Sequence, residues 1–303
     1  MKDSQFFKQA ELLLRILPIV NRESVFALKG GTAINFFIRN LPRLSVDIDL
    51  VYLPIQERLE SLQEISKSVL SIEERILKLI PGTRSQKKIS GGNAIGLLIN
   101  TESANVKIEP NTIIRGTVYE PVEYNLCPNG KELFELSVKV KSLVKEELYA
   151  GKICAALDRQ HPRDLYDIKL LFENEGITEQ TRKAFLVYLI SHNRPMAELL
   201  NPNYLDISKI YEQEFIGMTD EKVSLIELIE SRNRLVEELK KSLTETERKF
   251  LISFKTTEPE WNLLELPNIE NLPAVNWKLM NLKKMDSNKH TQAVSTLKKI
   301  LLR

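Results

Sequence analysis

Hydrophobic and polar positions follow two different rhythms along this chain, and the change of rhythm divides it. Between residues 5 and 20, Phe6, Leu12, Leu13, Ile16 and Val20 fall close to one helical face. Val25 to Leu28 is a short apolar run of the kind a buried strand makes. Gly30-Gly31 punctuates the pattern, and Thr32 to Arg39 continues with Ala33, Phe36 and Phe37 at helical spacing until Pro42 stops it. Val46 to Leu53 reads as a second strand. Leu59, Leu62, Ile65, Val69, Ile72, Ile76 and Leu79 then recur every three or four residues, predicting a long helix over 55–80 that Pro81-Gly82 ends.

From about residue 84 to 140 the character changes to strand. Gly91-Gly92-Asn93 makes a hairpin turn, and Ala94 to Asn100, Asn105 to Glu109 and Phe134 to Val140 read as strands. Beyond that the patterns are helical: 142–160, 178–191, 220–243, 245–254 and 274–301. The expected fold is α/β (α+β), with a small mixed-sheet domain over 1–140 and an α-helical domain over 141–303. A chain of 303 residues suits two domains. The site is expected in the cleft between them, a common place for one.

Composition alters this picture little. Charges are plentiful but balanced to a net +2, which leaves nucleic acid open, since a basic patch fits inside a neutral total. Cys127, Cys154, His161, His192 and His290 lack the spacing of a zinc site or a disulfide framework. The N-terminal stretch is an amphipathic helix broken by charges, not a signal peptide. No apolar run approaches the roughly 18 residues that span a bilayer. A cytoplasmic protein is expected.

The chemistry concentrates at Lys29 to Leu53, KGGTAINFFIRNLPRLSVDIDLVYL. Asp47 and Asp49 stand two apart on an apolar strand, so both carboxylates project to one face about 7 Å apart, within reach of one cluster of divalent ions. Mg²⁺ takes hard oxygen ligands and often only one or two carboxylates beside a nucleotide's phosphates. Backbone N–H groups at Gly30 and Gly31, opening into a helix, make an anion site for those phosphates. Ser45 shares the face of the aspartates if the strand begins there; otherwise it satisfies backbone groups in the Arg43-Leu44 turn. A phosphate on Ser45 would add about −1.5 to −2 charge against an incoming triphosphate.

This order of parts, G-[GS], a spacer, then D-h-[DE]-h, resembles the signature of the DNA polymerase β-like nucleotidyltransferase superfamily. The wording GGTAINFFIRNLPRLSVDIDL resembles more closely the AbiEii/AbiGii toxin group, which includes the MenT toxins. A second motif extends the likeness: Lys152-Ile-Cys-Ala-Ala-Leu-Asp-Arg159 and Arg163-Asp164-Leu-Tyr-Asp167 are similar to K-L-x-A-A-x-x-R…R-D-x-x-D. Lys152 and Arg159, two turns apart, point the same way. Pro162 opens a new helix and puts Asp164 in its first turn. Asp167 is placed to pair with Arg163. Read alone, these residues fit two solvated helices; beside the first motif, Lys152 reads as facing phosphate. The stretch LTETERKFLISFKTTEPEWNLLELPNIENLPAVNWKLMNL resembles the C-terminal region of the same group.

The resemblance implies a toxin of a bacterial toxin–antitoxin or phage-resistance pair that uses an NTP, Mg²⁺ (or Mn²⁺) and the 3′ acceptor end of tRNA, beside an antitoxin and no membrane. It assigns Asp47 and Asp49 to the metal, with Glu109 as the candidate for the third carboxylate these enzymes need on a neighbouring strand; Pro110 departs from the usual apolar residue there, and an exposed strand-end glutamate is the equal alternative. Gly30, Gly31 and Thr32 cradle phosphates. Lys152, supported by Arg159 or Arg163, meets charge on the leaving group, and Asp164 orients a cation or the acceptor. Two other readings stay open, a nucleotide-binding regulatory module without transfer and an enzyme that nucleotidylates protein. A last feature stands apart: Lys278, Lys283, Lys284, Lys289, Lys298, Lys299 and Arg303 against the single acid Asp286, near Trp277, suit a phosphate backbone or a solubilising surface equally.

Overall fold

A computed structural model describes residues 4–219 and 221–302. It divides into two compact units, Met1–Leu148 with Gly217–Glu221, and Tyr149–Ile216 with Lys222–Arg303. Asp220 and Arg303, which the sequence places in a helix and in the basic tail, lie outside the described residues.

The first unit is built on a seven-stranded mixed sheet. Its elements are α1 (Gln5–Val20), β1 (Phe26–Lys29), α2 (Gly30–Ala33) running into a π-helical turn at Ile34–Ile38, β2 (Asp47–Tyr52), α3 (Arg58–Leu79), β3 (Arg84–Ser90), β4 (Asn93–Asn100), β5 (Asn105–Asn111), β6 (Val122–Asn125), α4 (Pro128–Phe134) and β7 (Lys139–Ser142). The strand order is β3-β4-β5-β2-β1-β7-β6. β2 runs parallel to β5, β1 runs parallel to β7, and the other neighbours are antiparallel.

One face of this sheet is the core. Ile48, Leu50 and Tyr52 of β2 alternate with the aspartates and lie buried beside Val106, Ile108, Leu97 and Ile99. α1 packs against β2, β5 and β7, and α3 against β4. Period-two alternation on the strands and three- or four-residue spacing on the helices thus serve one apolar layer. Pro110 is tolerated because β4 pairs with β5 only from Asn105 to Ile108, so no N–H is needed on that side.

The second unit is helical. α5 (Lys145–Asp158), whose first residues to Leu148 belong to the first unit, leads into α6 (Pro162–Asn174), α7 (Glu179–Ser191), α8 (Met196–Leu200), α9 (Ser208–Glu214), α10 (Leu225–Ser242), α11 (Glu245–Lys255), α12 (Pro273–Lys283) and α13 (Ser287–Leu301). Ser224 and Thr244 open α10 and α11 with capping boxes that Glu227 and Glu247 complete.

Three sequence expectations change here. Residues 134–140 are not one strand: Cys127 caps α4 through its sulfur, 3.3 Å from the Gly130 N–H, Pro128 starts the helix, and β7 begins only at Lys139. Residues 274–301 form two helices, because the Asp286 carboxylate accepts from Asn288 N and Lys289 N and starts α13 afresh. Lys278 does not belong to a basic surface. Its buried ammonium donates to the carbonyls of His192, Asn193 and Arg194 just past the end of α7, and burial, with the Lys255 charge beside it, lowers its pKa to about 8.

Candidate active site

Gly30 follows β1 in a left-handed conformation, φ +76°, that an L side chain enters only with strain. It also lies directly under a carboxylate: a Cβ there would stand 2.5 Å from Asp49 Oδ2. The pairing Lys29↔Asp49 brings this about, since the strand carrying the aspartates lies beside the strand that feeds the turn. Gly30 and Gly31 are the first residues of α2, so their N–H groups are among those a helix leaves without intrahelical partners. The Asp49 carboxylate and the turn that carries these N–H groups are therefore one place in the fold.

The turn is held from behind. The Thr32 hydroxyl donates to the Asp47 carbonyl and lies 2.9 Å from Ser45 Oγ, itself buried. A Cβ on Gly31 would stand 2.8 Å from Arg43 Nη2 and 3.3 Å from Ser45 Oγ. Arg43 is only 4% exposed, and its guanidinium donates to the Leu44 carbonyl. The sequence reading missed Arg43 because nothing local marks it; only the fold sets a buried cation against the glycine turn. The strand itself begins at Asp47, so Ser45 precedes it and borders the turn. Gly31→Ala is expected to weaken NTP binding about tenfold, about 1.4 kcal/mol, with a stability loss near 1 kcal/mol as Arg43 and Ser45 move. Calorimetric titration beside thermal unfolding checks this.

Glu109 stands in register with Asp49 across β5 and β2. Its carboxylate is taken by Lys88 of β3 at 2.9 Å, and the Glu109 side chain is 40% exposed. Among the described residues no three carboxylate, His or Cys side chains converge as a ready metal site. Asp47 and Asp49 alone still fit a Mg²⁺ ion, because hard oxygens on one strand face beside an anion-binding turn are what a metal–triphosphate needs.

The second motif forms its own cluster in the helical unit. Lys152 Nζ on α5 lies 2.7 Å from Asp164 Oδ1 and 3.0 Å from Asp167 Oδ2 on α6. All three side chains are buried. Arg159 forks onto the same Asp164, Nε to Oδ2 at 2.6 Å and Nη2 to Oδ1 at 3.0 Å, with most of its own surface exposed. Asp167, expected to pair with Arg163, holds Lys152. Arg163 lies 3.6 Å from Glu214. His161 caps α6: its Nδ1 accepts from Arg163 N, so Nε2 carries the proton and faces Glu214 at 3.1 Å. Burial lowers the His161 pKa, against its hydrogen bond to Glu214.

Burial alone would raise the Asp164 pKa, but Lys152 and Arg159 outweigh it and hold the carboxyl well below the usual range. A folded-state pKa below the unfolded value means the ion stabilises the fold above about pH 4. That stability is lost as the pH falls further. Denaturant unfolding should therefore show wild type losing more stability than Asp164→Asn between about pH 5 and pH 3. Equal losses would mean Asp164 is not held ionised.

Residues 11–281 match the family model described as nucleotidyl transferase AbiEii toxin, type IV TA system. A comparison with curated protein sequences finds no match. Among solved structures, MenT4, a nucleotidyltransferase toxin from Mycobacterium tuberculosis H37Rv, is similar over 92% of this chain and 93% of its own, with TM-score 0.61 and 16% identity. At that identity the likeness speaks for the fold. No helix among the described residues is long and apolar enough to cross a membrane.

Proposed function

The chain belongs to the AbiEii family of nucleotidyltransferase toxins of type IV toxin–antitoxin systems, and from that premise we propose that it transfers a nucleotide from an NTP to the 3′ end of tRNA with Mg²⁺. The observation that carries this reading is the Asp49 carboxylate resting on Gly30 of the phosphate-binding turn. A regulatory binder needs the turn but not a carboxylate pair beside it.

In the reaction the 3′ hydroxyl attacks the α-phosphorus, a new P–O ester bond forms, the α–β bond breaks and pyrophosphate leaves. A Mg²⁺ ion bound to Asp47 and Asp49 would supply Lewis-acid neutralisation of phosphate charge. Gly30 and Gly31 hold the triphosphate through N–H groups, with Thr32, Ser45 and Arg43 keeping the turn in shape. Glu109, once free of Lys88, is placed on the strand beside Asp49 to receive the hydroxyl proton. Lys152, fixed by Asp164 and Asp167, is assigned to the same reaction on the strength of the second motif.

Purified protein with each labelled NTP, Mg²⁺ and a mixture of cell RNA and protein tests the reading. Label is expected in the RNA. Label confined to protein would favour the reading in which a side chain is the acceptor. The partner antitoxin follows from the type IV system itself.

A further inference from the structure

The sheet face that carries Asp47 and Asp49 does not end at β2. The registers Asp47↔Lys107 and Asp49↔Glu109 continue it onto β5, Leu98↔Lys107 onto β4, and Lys88↔Gly96 with Gln86↔Leu98 and Arg84↔Asn100 onto β3. In both parallel and antiparallel sheets, paired residues project to the same side, and the alternate residues Leu97, Ile99, Val106 and Ile108 fill the core on the other. The result is a face three strand spacings wide, about 14 Å, leading from the carboxylates to the sheet's edge.

This face is polar and open. Arg84, Gln86, Lys88 and Lys107 are all exposed. A Cβ on Gly96 would stand 3.7 Å from Lys88 Cβ and 2.9 Å from the Ile108 carbonyl, so the missing side chain lets Lys88 lie across β4 and reach Glu109. Lys88 is thus tied to Glu109, and the uncommitted positive charge comes from Arg84 and Lys107. Among the described residues of β3, β4 and β5 on this face, none is aromatic. A surface with cations and no stacking platform recognises a phosphate backbone and is indifferent to base identity.

Resting on the transferase reading above, we infer that the open face of β3, β4 and β5 is the track for the single-stranded 3′ end of the acceptor RNA, its phosphates on Arg84 and Lys107. The terminal hydroxyl then lies at the carboxylates while the preceding nucleotides run outward over Leu98 and Gly96 to the edge strand. Lys88 exchanges Glu109 for a phosphate as the strand arrives, which releases the carboxylate on the strand next to Asp49.

Fluorescence anisotropy of a labelled single-stranded RNA oligonucleotide with the full chain, without NTP, over a series of salt concentrations, tests the track. The Arg84→Glu/Lys107→Glu protein is expected to bind at least tenfold more weakly, with the slope of log K against log salt lowered by roughly 1.4, about 0.7 for each phosphate that is no longer neutralised. Arg84→Gln/Lys107→Gln, the milder pair, should show the same fall in slope with a smaller loss of affinity. NTP affinity should not change in either. Lys283→Glu/Lys289→Glu, on the exposed rival basic surface of α12 and α13, should bind RNA as wild type does. RNA affinity unchanged by both Arg84/Lys107 pairs, or lost only in the Lys283/Lys289 pair, overturns the track. Wild type that labels no RNA at all overturns the transferase reading instead.

Discussion

Asp49→Ala is expected to abolish nucleotide transfer, a loss on the order of a thousandfold or more, while the protein keeps its fold. The size follows from the several kcal/mol of charge stabilisation a metal supplies to phosphoryl chemistry, at 1.36 kcal/mol for each factor of ten. The retention of fold follows from position. Asp49 and Asp47 share one face about 7 Å apart, so removing one charge relieves the repulsion between them. The melting temperature of metal-free protein should be unchanged or slightly higher, and the stabilisation that added Mg²⁺ and NTP give wild type should disappear. A large fall in melting temperature with transfer retained would make the carboxylate pair a structural feature.

Lys152→Ala is expected to cost both stability and activity. The ammonium lies between two buried carboxylates, Asp164 and Asp167, at 2.7 and 3.0 Å. Truncating one partner of a buried ionic cluster leaves uncompensated charge and costs about 3–5 kcal/mol. Arg159 still reaches Asp164, which places the expected value at the lower end. Transfer, measured well below the melting point, should fall as well, beyond what the lost stability accounts for. Lys152→Arg should recover some stability and little activity, because a planar fork cannot take the place of one ammonium between two carboxylates. Normal turnover in folded Lys152→Ala protein would confine the cluster to a structural role.

How much of the fold and site is legible in the sequence depends on whether a residue's meaning is local. Gly30-Gly31 and Asp47-x-Asp49 mark themselves, because a glycine pair and charged residues on an apolar strand are improbable without a reason. The long helix at 55–80 and the strand at Asn105 to Glu109 are equally plain from period, and they appear as Arg58–Leu79 and Asn105–Asn111. The α4 start is hidden because a cysteine is an unusual cap, and the strand Val122–Asn125 because its exposed polar sequence has no apolar rhythm. Asp286 reads as the lone acid of a basic tail, though it is the cap that breaks that tail in two. Arg43 and Lys278 share the opposite problem. Each looks like a surface cation, and only tertiary structure buries it, one against the glycine turn and the other on three helix-end carbonyls.

At the proposed site, Asp47, Asp49 and the Gly30-Gly31 turn would make nucleotide units from an NTP part of RNA. Intact-mass spectrometry of purified tRNA, before and after incubation with the protein, one NTP at a time and Mg²⁺, tests it most directly. The expected product is tRNA heavier by whole nucleotide residues at its 3′ end, with one pyrophosphate released for each and no gain when Asp49→Ala replaces wild type. An unchanged or shortened tRNA with every NTP, or an equal gain with the Asp49→Ala protein, would contradict it.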